Sequence, residues 1–135
     1  MIMNINERPC HKDDRGEIRM ILESCQIGSI SRISSHTGST RANHYHPNDY
    51  HFIEVLQGIV ELYERPVGSK EKPILKMVHP GDIALTNPNI EHTMYFPYFT
   101  VFNCYSHLPR NKDNYEKETI RFDYSLRDIY NNWKD

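Results

Sequence analysis

The sequence of 135 residues predicts an all-β fold, a barrel or sandwich of short strands followed by one short helix. The first observation is a series of short segments rich in β-branched and aromatic residues, which is typical of such folds. The second is that turn residues separate these segments, as in Pro47-Asn48-Asp49 and Pro80-Gly81-Asp82. The third is a change to helical periodicity near the C-terminal end.

Nine strands are predicted between these turns. They are expected at residues 17–23, 30–34, 41–46, 50–56, 59–64, 74–78, 83–86, 92–96 and 100–105. Gln57-Gly58 is expected to join two of them as a tight hairpin. Because side chains alternate along a strand, His51, Ile53 and Val55 share the face expected to point into the core.

The C-terminal end predicts an amphipathic helix. Leu126, Ile129, Tyr130 and Trp133 recur at the spacing of one helical face, and Ser125 precedes them as a candidate cap. We expect this helix to lie on the barrel; contact with a partner subunit is the alternative.

Length and composition favour a single domain over residues 1–135, with the barrel at about 17–105 and an extension at 106–135. The net charge of −2 offers no basic surface for nucleic acid, and the apolar runs are too short to span a membrane. Three irregularly spaced cysteines argue against a disulfide framework. Together with the lack of a secretory signal, they favour the cytoplasm.

Four histidines carry the functional prediction. His44 and His46 are two residues apart on an extended segment, so both imidazoles point to the same face. His51 shares its face with core residues, and His92 follows a turn where a strand re-enters the barrel. Neutral imidazoles on one face suit one divalent ion such as Zn, Fe, Ni or Mn. A metal-free cavity of hydrogen-bonded histidines is the alternative.

Two segments resemble the cupin motifs. Residues 38–58 (GSTRANHYHPNDYHFIEVLQG) match the first motif at Gly38, His44, His46 and Gly58, and residues 80–92 resemble the second. His51 stands where cupins usually have Glu, and Phe96 stands where they have a final Asn. The resemblance implies a single cupin domain, a double-stranded β-helix or jelly-roll barrel. It also implies a metal held by His44, His46, His51 and His92.

Two shorter segments resemble dTDP-4-dehydrorhamnose 3,5-epimerases and related sugar ketoisomerases. Residues 13–18 (DDRGEI) resemble their D-x-R-G turn, and residues 41–46 (RANHYH) resemble their R-G-L-H-Y-Q segment. The His-x-His part of the second segment is also similar to that of the cupin of capsular-polysaccharide enzymes, which adds a metal. The resemblance implies that Arg15 and Arg41 contact a nucleotide diphosphate. It further implies that His44 removes a proton next to a keto group and that Tyr105 returns one.

The sequence therefore predicts a metal-binding epimerase or isomerase of a nucleotide-linked keto sugar in polysaccharide biosynthesis. An iron-dependent dioxygenase and a non-catalytic sugar- or small-molecule-binding module are the alternatives. His44 has two incompatible roles, because an imidazole nitrogen that binds a metal is not free to act as a base. A homodimer is expected, since exposed sheet edges favour pairing.

Overall fold

The computed structural model describes residues 2–135, which form twelve strands and two short α-helices. The elements follow the chain in this order: β1 (Ile2–Asn4), β2 (Cys10–Asp13), β3 (Gly16–Arg19), β4 (Ser29–Ser35), β5 (Thr40–Tyr45), β6 (His51–Gln57), β7 (Val60–Pro66), β8 (Ile74–Val78), β9 (Asp82–Thr86), β10 (Ile90–Tyr95), β11 (Thr100–Ser106), α1 (Lys112–Lys117), β12 (Ile120–Arg121) and α2 (Leu126–Asn131).

Two antiparallel sheets of five strands form the barrel. One has the order β1-β9-β6-β11-β4 and the other β12-β5-β10-β7-β8, while β2 and β3 form a separate hairpin. The core consists of side chains from the inner faces of both sheets, including Ile53, Leu62 and the stacked rings of Phe96 and Phe102. The predicted all-β fold is confirmed.

The predicted strands agree with the structure within a few residues, with one exception. The strand predicted at 17–23 ends at Arg19, because residues 20–28 leave the hairpin. Strands β1, β2 and β12 were not predicted. They are two to four residues long, too short for a period-2 pattern to be read from them.

Strand β6 shows why alternation predicted the core well. His51, Ile53 and Val55 are almost completely buried inside the barrel, as expected. Glu54 lies on the opposite face, where its carboxylate accepts a hydrogen bond from the Tyr105 hydroxyl at 2.5 Å. Although it faces outward from the barrel, Glu54 is only 7% exposed.

Gly58 in the β6–β7 turn has a structural reason to be glycine. Its φ is +84°, and a Cβ at this position would lie 2.4 Å from Thr100 Oγ1 and 2.5 Å from the Phe99 carbonyl oxygen. Only a residue without a side chain permits both the backbone conformation and this close approach. Gln57-Gly58 therefore forms the predicted tight turn, but the predicted hairpin is wrong, because this turn carries the chain from one sheet to the other and β6 and β7 do not pair.

The C-terminal helix α2 lies against β7 and β10. Leu126 is fully buried, and its backbone N–H donates to Thr93 Oγ1 at 3.1 Å. Ser125 occupies the N-cap position, but its side chain makes no capping hydrogen bond. The helix on the barrel is confirmed; the other helix, α1, was not predicted.

Cys10, Cys25 and Cys104 are free thiols. Among residues 2–135, the helices are all too short or too polar to cross a bilayer. The homodimer stays a prediction.

Candidate functional site

A β-bulge in β5 sets the direction of the site residues on this strand. Ala42 and Asn43 have φ of 75° and 57°, and the pairing with β10 shifts register so that His44 lies opposite His92 while Arg41 lies opposite Met94. In a regular strand, residues 41 and 44 would face opposite sides. The bulge inserts one residue, so that both fall on the same side of β5; His44 is buried in the barrel, whereas Arg41 is exposed. Asn43 holds it by accepting a hydrogen bond from Thr93 Oγ1 at 2.7 Å.

Three histidines converge inside the barrel. One ring nitrogen of each of His44, His46 and His92 lies within 4.8 Å of the others. Their ring centroids are 4.6 Å (His44–His92), 4.7 Å (His44–His46) and 5.5 Å (His46–His92) apart. The ring of His51 is adjacent, with its centroid 5.1 Å from that of His92 and 5.6 Å from that of His46.

Backbone carbonyls orient two of these rings. His46 Nδ1 donates to the Glu118 carbonyl oxygen at 2.5 Å, and His92 Nδ1 donates to the Ile90 carbonyl oxygen at 3.1 Å. Since a carbonyl only accepts, the proton lies on Nδ1 and the Nε2 lone pair is free. Both Nε2 atoms are buried and lack a hydrogen-bond partner among the described residues. The same holds for His51 Nδ1. A histidine that binds a metal needs one free ring nitrogen and a hydrogen bond at the other nitrogen that orients the ring. His46 and His92 have both, so these residues fit a metal ion.

The histidines are neutral at neutral pH. Burial lowers the pKa of His44 to about 2 and that of His92 to about 3, and the charge of Arg110 adds to both shifts. Burial also lowers the pKa of His46 and, more strongly, that of His51. Neutral imidazole is the form that binds a metal and the form that accepts a proton.

A cavity of about 140 Å³ lies next to the histidines. Its lining includes two of the four, His44 and His51, together with Arg41, Arg110 and Tyr115. Arg110 Nε donates to Ser106 Oγ at 3.1 Å, and its guanidinium lies 5.5 Å from the centroid of the Tyr115 ring. The sequence did not predict Arg110 or Tyr115, because both follow the last barrel strand in a segment without a motif.

Glu118 positions the loop that carries His46. Besides its carbonyl contact with His46, its carboxylate accepts hydrogen bonds from the backbone N–H of Asn48 at 2.9 Å and of Asp49 at 3.1 Å. Asp49 in turn accepts from the backbone N–H of Leu108 at 3.0 Å. The C-terminal segment is thus hydrogen-bonded to the loop that follows β5. The spacing of residues in the sequence provided no signal for this contact.

We expect Glu118→Ala to weaken metal binding about tenfold, since loss of a residue that orients a ligand typically costs 10- to 100-fold in affinity. The variant keeps the carbonyl that holds His46 but frees the loop at Asn48 and Asp49. A competition titration against a metal-binding dye measures the affinity. Glu116→Ala is the matched control, because Glu116 is exposed and Arg121 is its one ion-pair partner among residues 2–135. Equal affinities in both variants would contradict a positioning role.

The structure brings only some of the predicted substrate residues to the histidines. Arg41 lines the cavity, with Nε donating to Ser35 Oγ and Nη2 donating to the Ser34 carbonyl. Arg15 lies elsewhere, in the β2–β3 turn, where it pairs with Asp13 at 2.7 Å.

Tyr105 is not near the histidines either. Side chains alternate along β11, and the buried Cys104 and Ser106 face the interior. Tyr105 therefore faces outward, toward Glu54. Its predicted role as a proton donor has no contact in this structure to support it.

Comparisons by sequence find no relative. No family model matches the chain, and no curated protein matches it.

Comparison of structures finds similar folds. A 3,4-ketoisomerase from Helicobacter canadensis superposes with a TM-score of 0.70 at 17% identity, covering 97% of this chain and 94% of that one. WlaRA, a TDP-fucose-3,4-ketoisomerase from Campylobacter jejuni, gives 0.70 at 14% identity, covering 96% and 92%. The capsular polysaccharide assembling protein CapF from Staphylococcus aureus gives 0.65 at 19% identity, covering 86% of this chain.

The present chain spans only 32% of CapF but nearly all of the two ketoisomerases. These proteins have the cupin fold, so the fold implied by the sequence motifs is confirmed. Activity does not follow from a shared fold at such low identity.

Proposed function

We propose that this chain is a metal-dependent isomerase or epimerase of a nucleotide-linked keto sugar in cytoplasmic polysaccharide biosynthesis. The observation that carries the proposal is that the buried Nε2 atoms of His46 and His92 have no hydrogen-bond partner among residues 2–135 and lie near His44, which lines a cavity of about 140 Å³. Similar solved structures are named as 3,4-ketoisomerases and as a capsular polysaccharide assembling protein, which supports the substrate class.

In this proposal His44, His46 and His92 hold one divalent ion, either Zn, Fe, Ni or Mn. The bound ion supplies a Lewis acid that stabilises negative charge on the keto oxygen. Carbonyl contacts from Glu118 and Ile90 keep two of the rings in the tautomer that exposes Nε2 to the ion.

The proton is moved by His51. With His44 in the ligand set, His51 is the other histidine that lines the cavity, and its Nδ1 is unpartnered. A neutral imidazole accepts the proton from the carbon next to the carbonyl, and the negative charge passes to the keto oxygen. In an isomerisation the hydroxyl proton of that carbon moves to the former keto oxygen and the imidazole returns its proton to the former carbonyl carbon; in an epimerisation a proton returns to the carbon that lost it. This assignment removes the conflict over His44, and Arg41 at the same cavity is the candidate contact for the diphosphate. The fourth-ligand role that the motif implies for His51 is the competing assignment.

The test of the function is solvent isotope exchange. The metal-loaded protein is incubated in D₂O with a dTDP-4-keto-6-deoxy sugar and followed by proton NMR. We expect deuterium to enter at the carbon next to the keto group faster than without protein, because isomerisation and epimerisation both pass through removal of that proton. Exchange no faster than in the protein-free control would reject the proposal.

An iron-dependent oxygenase is the second candidate. It is favoured by the three neutral histidines, because imidazole is a ligand that suits iron. A 2-His-1-carboxylate site is the more usual iron arrangement, so this candidate ranks second. Oxygen uptake by the iron-loaded protein with substrate would support it, and binding without turnover would indicate a non-catalytic module.

A further inference from the structure

We propose that the sugar ring of the substrate carries a carboxylate and that Arg110 binds it. This inference rests on the proposed function and makes the substrate class narrower, a nucleotide-linked sugar acid rather than a neutral sugar. It is carried by the position of Arg110, by its unused donors and by the charges around the cavity.

Arg110 reaches the histidine end of the cavity. Its Nε donates to the hydroxyl of Ser106, a fully buried residue that pairs directly with His51 across β11 and β6. Arg110 lines the cavity together with His44 and His51. A sugar ring of the substrate that is placed for proton removal by His51 therefore lies within reach of the Arg110 guanidinium.

The remaining donors of Arg110 are free. Within residues 2–135, Nη1 and Nη2 have no hydrogen-bond or ion-pair partner, and the guanidinium only lies over the Tyr115 ring. Arg41 differs, because its Nε and Nη2 are both bonded to β4. An arginine that is held through Nε alone keeps Nη1 and Nη2 free, and these two nitrogens can donate two parallel hydrogen bonds to a carboxylate.

No acidic side chain of the described residues lines the cavity, although two arginines do. The carboxylates of Asp49 and Glu118 do not line the cavity and accept hydrogen bonds from backbone N–H groups of the surrounding loops. The positive charge of Arg110 is therefore unbalanced by the protein, and a metal ion on neutral ligands adds to it. An anionic group on the substrate supplies the missing charge, which a neutral sugar does not.

The anion is a carboxylate rather than the diphosphate because of size and position. A cavity of about 140 Å³ has room for a single sugar ring, so the nucleoside diphosphate lies at its exposed edge, on the side of the exposed Arg41. The planar guanidinium binds a carboxylate and a phosphate in the same two-bond geometry, so size and position decide between the two anions.

The test compares ligands that differ only at the ring carboxylate. Calorimetric titrations use UDP, UDP-glucose and UDP-glucuronate, and the corresponding dTDP compounds, with the metal-loaded protein. We expect the glucuronate to bind at least tenfold more tightly than the glucose compound in the wild type. In Arg110→Gln this preference falls to about onefold while the affinity for the free nucleotide is unchanged.

Arg121→Gln is the matched control, because Arg121 also lies over the Tyr115 ring but does not line the cavity. It is expected to keep the preference, and Arg110→Lys to keep part of it. Metal content and circular dichroism verify that each variant is folded and loaded.

Equal binding of the two sugar nucleotides by the wild type would overturn the inference and leave the proposed function standing. Weaker binding of free UDP or dTDP by Arg110→Gln would assign Arg110 to the diphosphate and also overturn it. Failure of every nucleotide compound to bind would overturn both this inference and the proposed function.

Discussion

Replacement of His92 by alanine is expected to reduce bound metal from about one ion per chain to less than a tenth of that. His92 is fully buried, its Nδ1 donates to the Ile90 carbonyl, and its Nε2 has no hydrogen-bond partner in the part of the chain that the structure describes. Three nitrogen ligands are the smallest set that holds a catalytic zinc-type ion, so the loss of one removes most of the affinity. Elemental analysis of protein purified without added metal measures the stoichiometry.

Two controls accompany this experiment. His79→Ala removes an exposed histidine paired with Asp82 and is expected to keep the metal. His92→Asn fills more of the space and separates loss of a ligand from loss of packing, provided that circular dichroism shows a folded protein. A folded wild type that contains no metal and cannot be reconstituted would contradict the metal site.

His51→Asn is expected to keep the metal and to slow deuterium exchange into the substrate by about 10²- to 10⁴-fold, which is the usual contribution of a general base to the rate. The structure places the His51 ring beside the three-histidine group but outside it. The same D₂O experiment and the same elemental analysis give both readouts. Tyr105→Phe is the control, and we expect its exchange rate to stay close to that of the wild type because Tyr105 faces away from the cavity.

Loss of metal together with activity in His51→Asn would assign His51 as a fourth ligand, as the cupin motif implies. Loss of neither would show that another residue removes the proton. Loss of exchange in Tyr105→Phe at full metal content would restore the sequence prediction for that residue.

The sequence predicted those parts of the site that depend on strand alternation. The inward direction of His46 and His51 follows from a period of two residues, which local sequence determines. The same rule places Tyr105 on the outer face, since Phe102 and Cys104 alternate with it in the core. The resemblance to the epimerases favoured a role for Tyr105 that this alternation does not support.

The remaining parts depend on contacts between distant segments. Arg110 and Glu118 come from the extension after the barrel, and no spacing rule links them to β5. The bulge at Ala42 and Asn43 is likewise not readable from the sequence, because neither residue is the glycine that usually marks positive φ. These features needed the three-dimensional structure.

The hydrogen bond between His46 and Glu118 joins residues that are 72 positions apart in the chain. During synthesis on the ribosome, the four histidines therefore leave the exit tunnel well before the segment that fixes the orientation of His46. Until residue 118 emerges, the loop carrying His46 lacks the contact that fixes it. For the proposed metal site, this predicts that the ion binds late in biogenesis, when the C-terminal segment docks, rather than when the barrel forms.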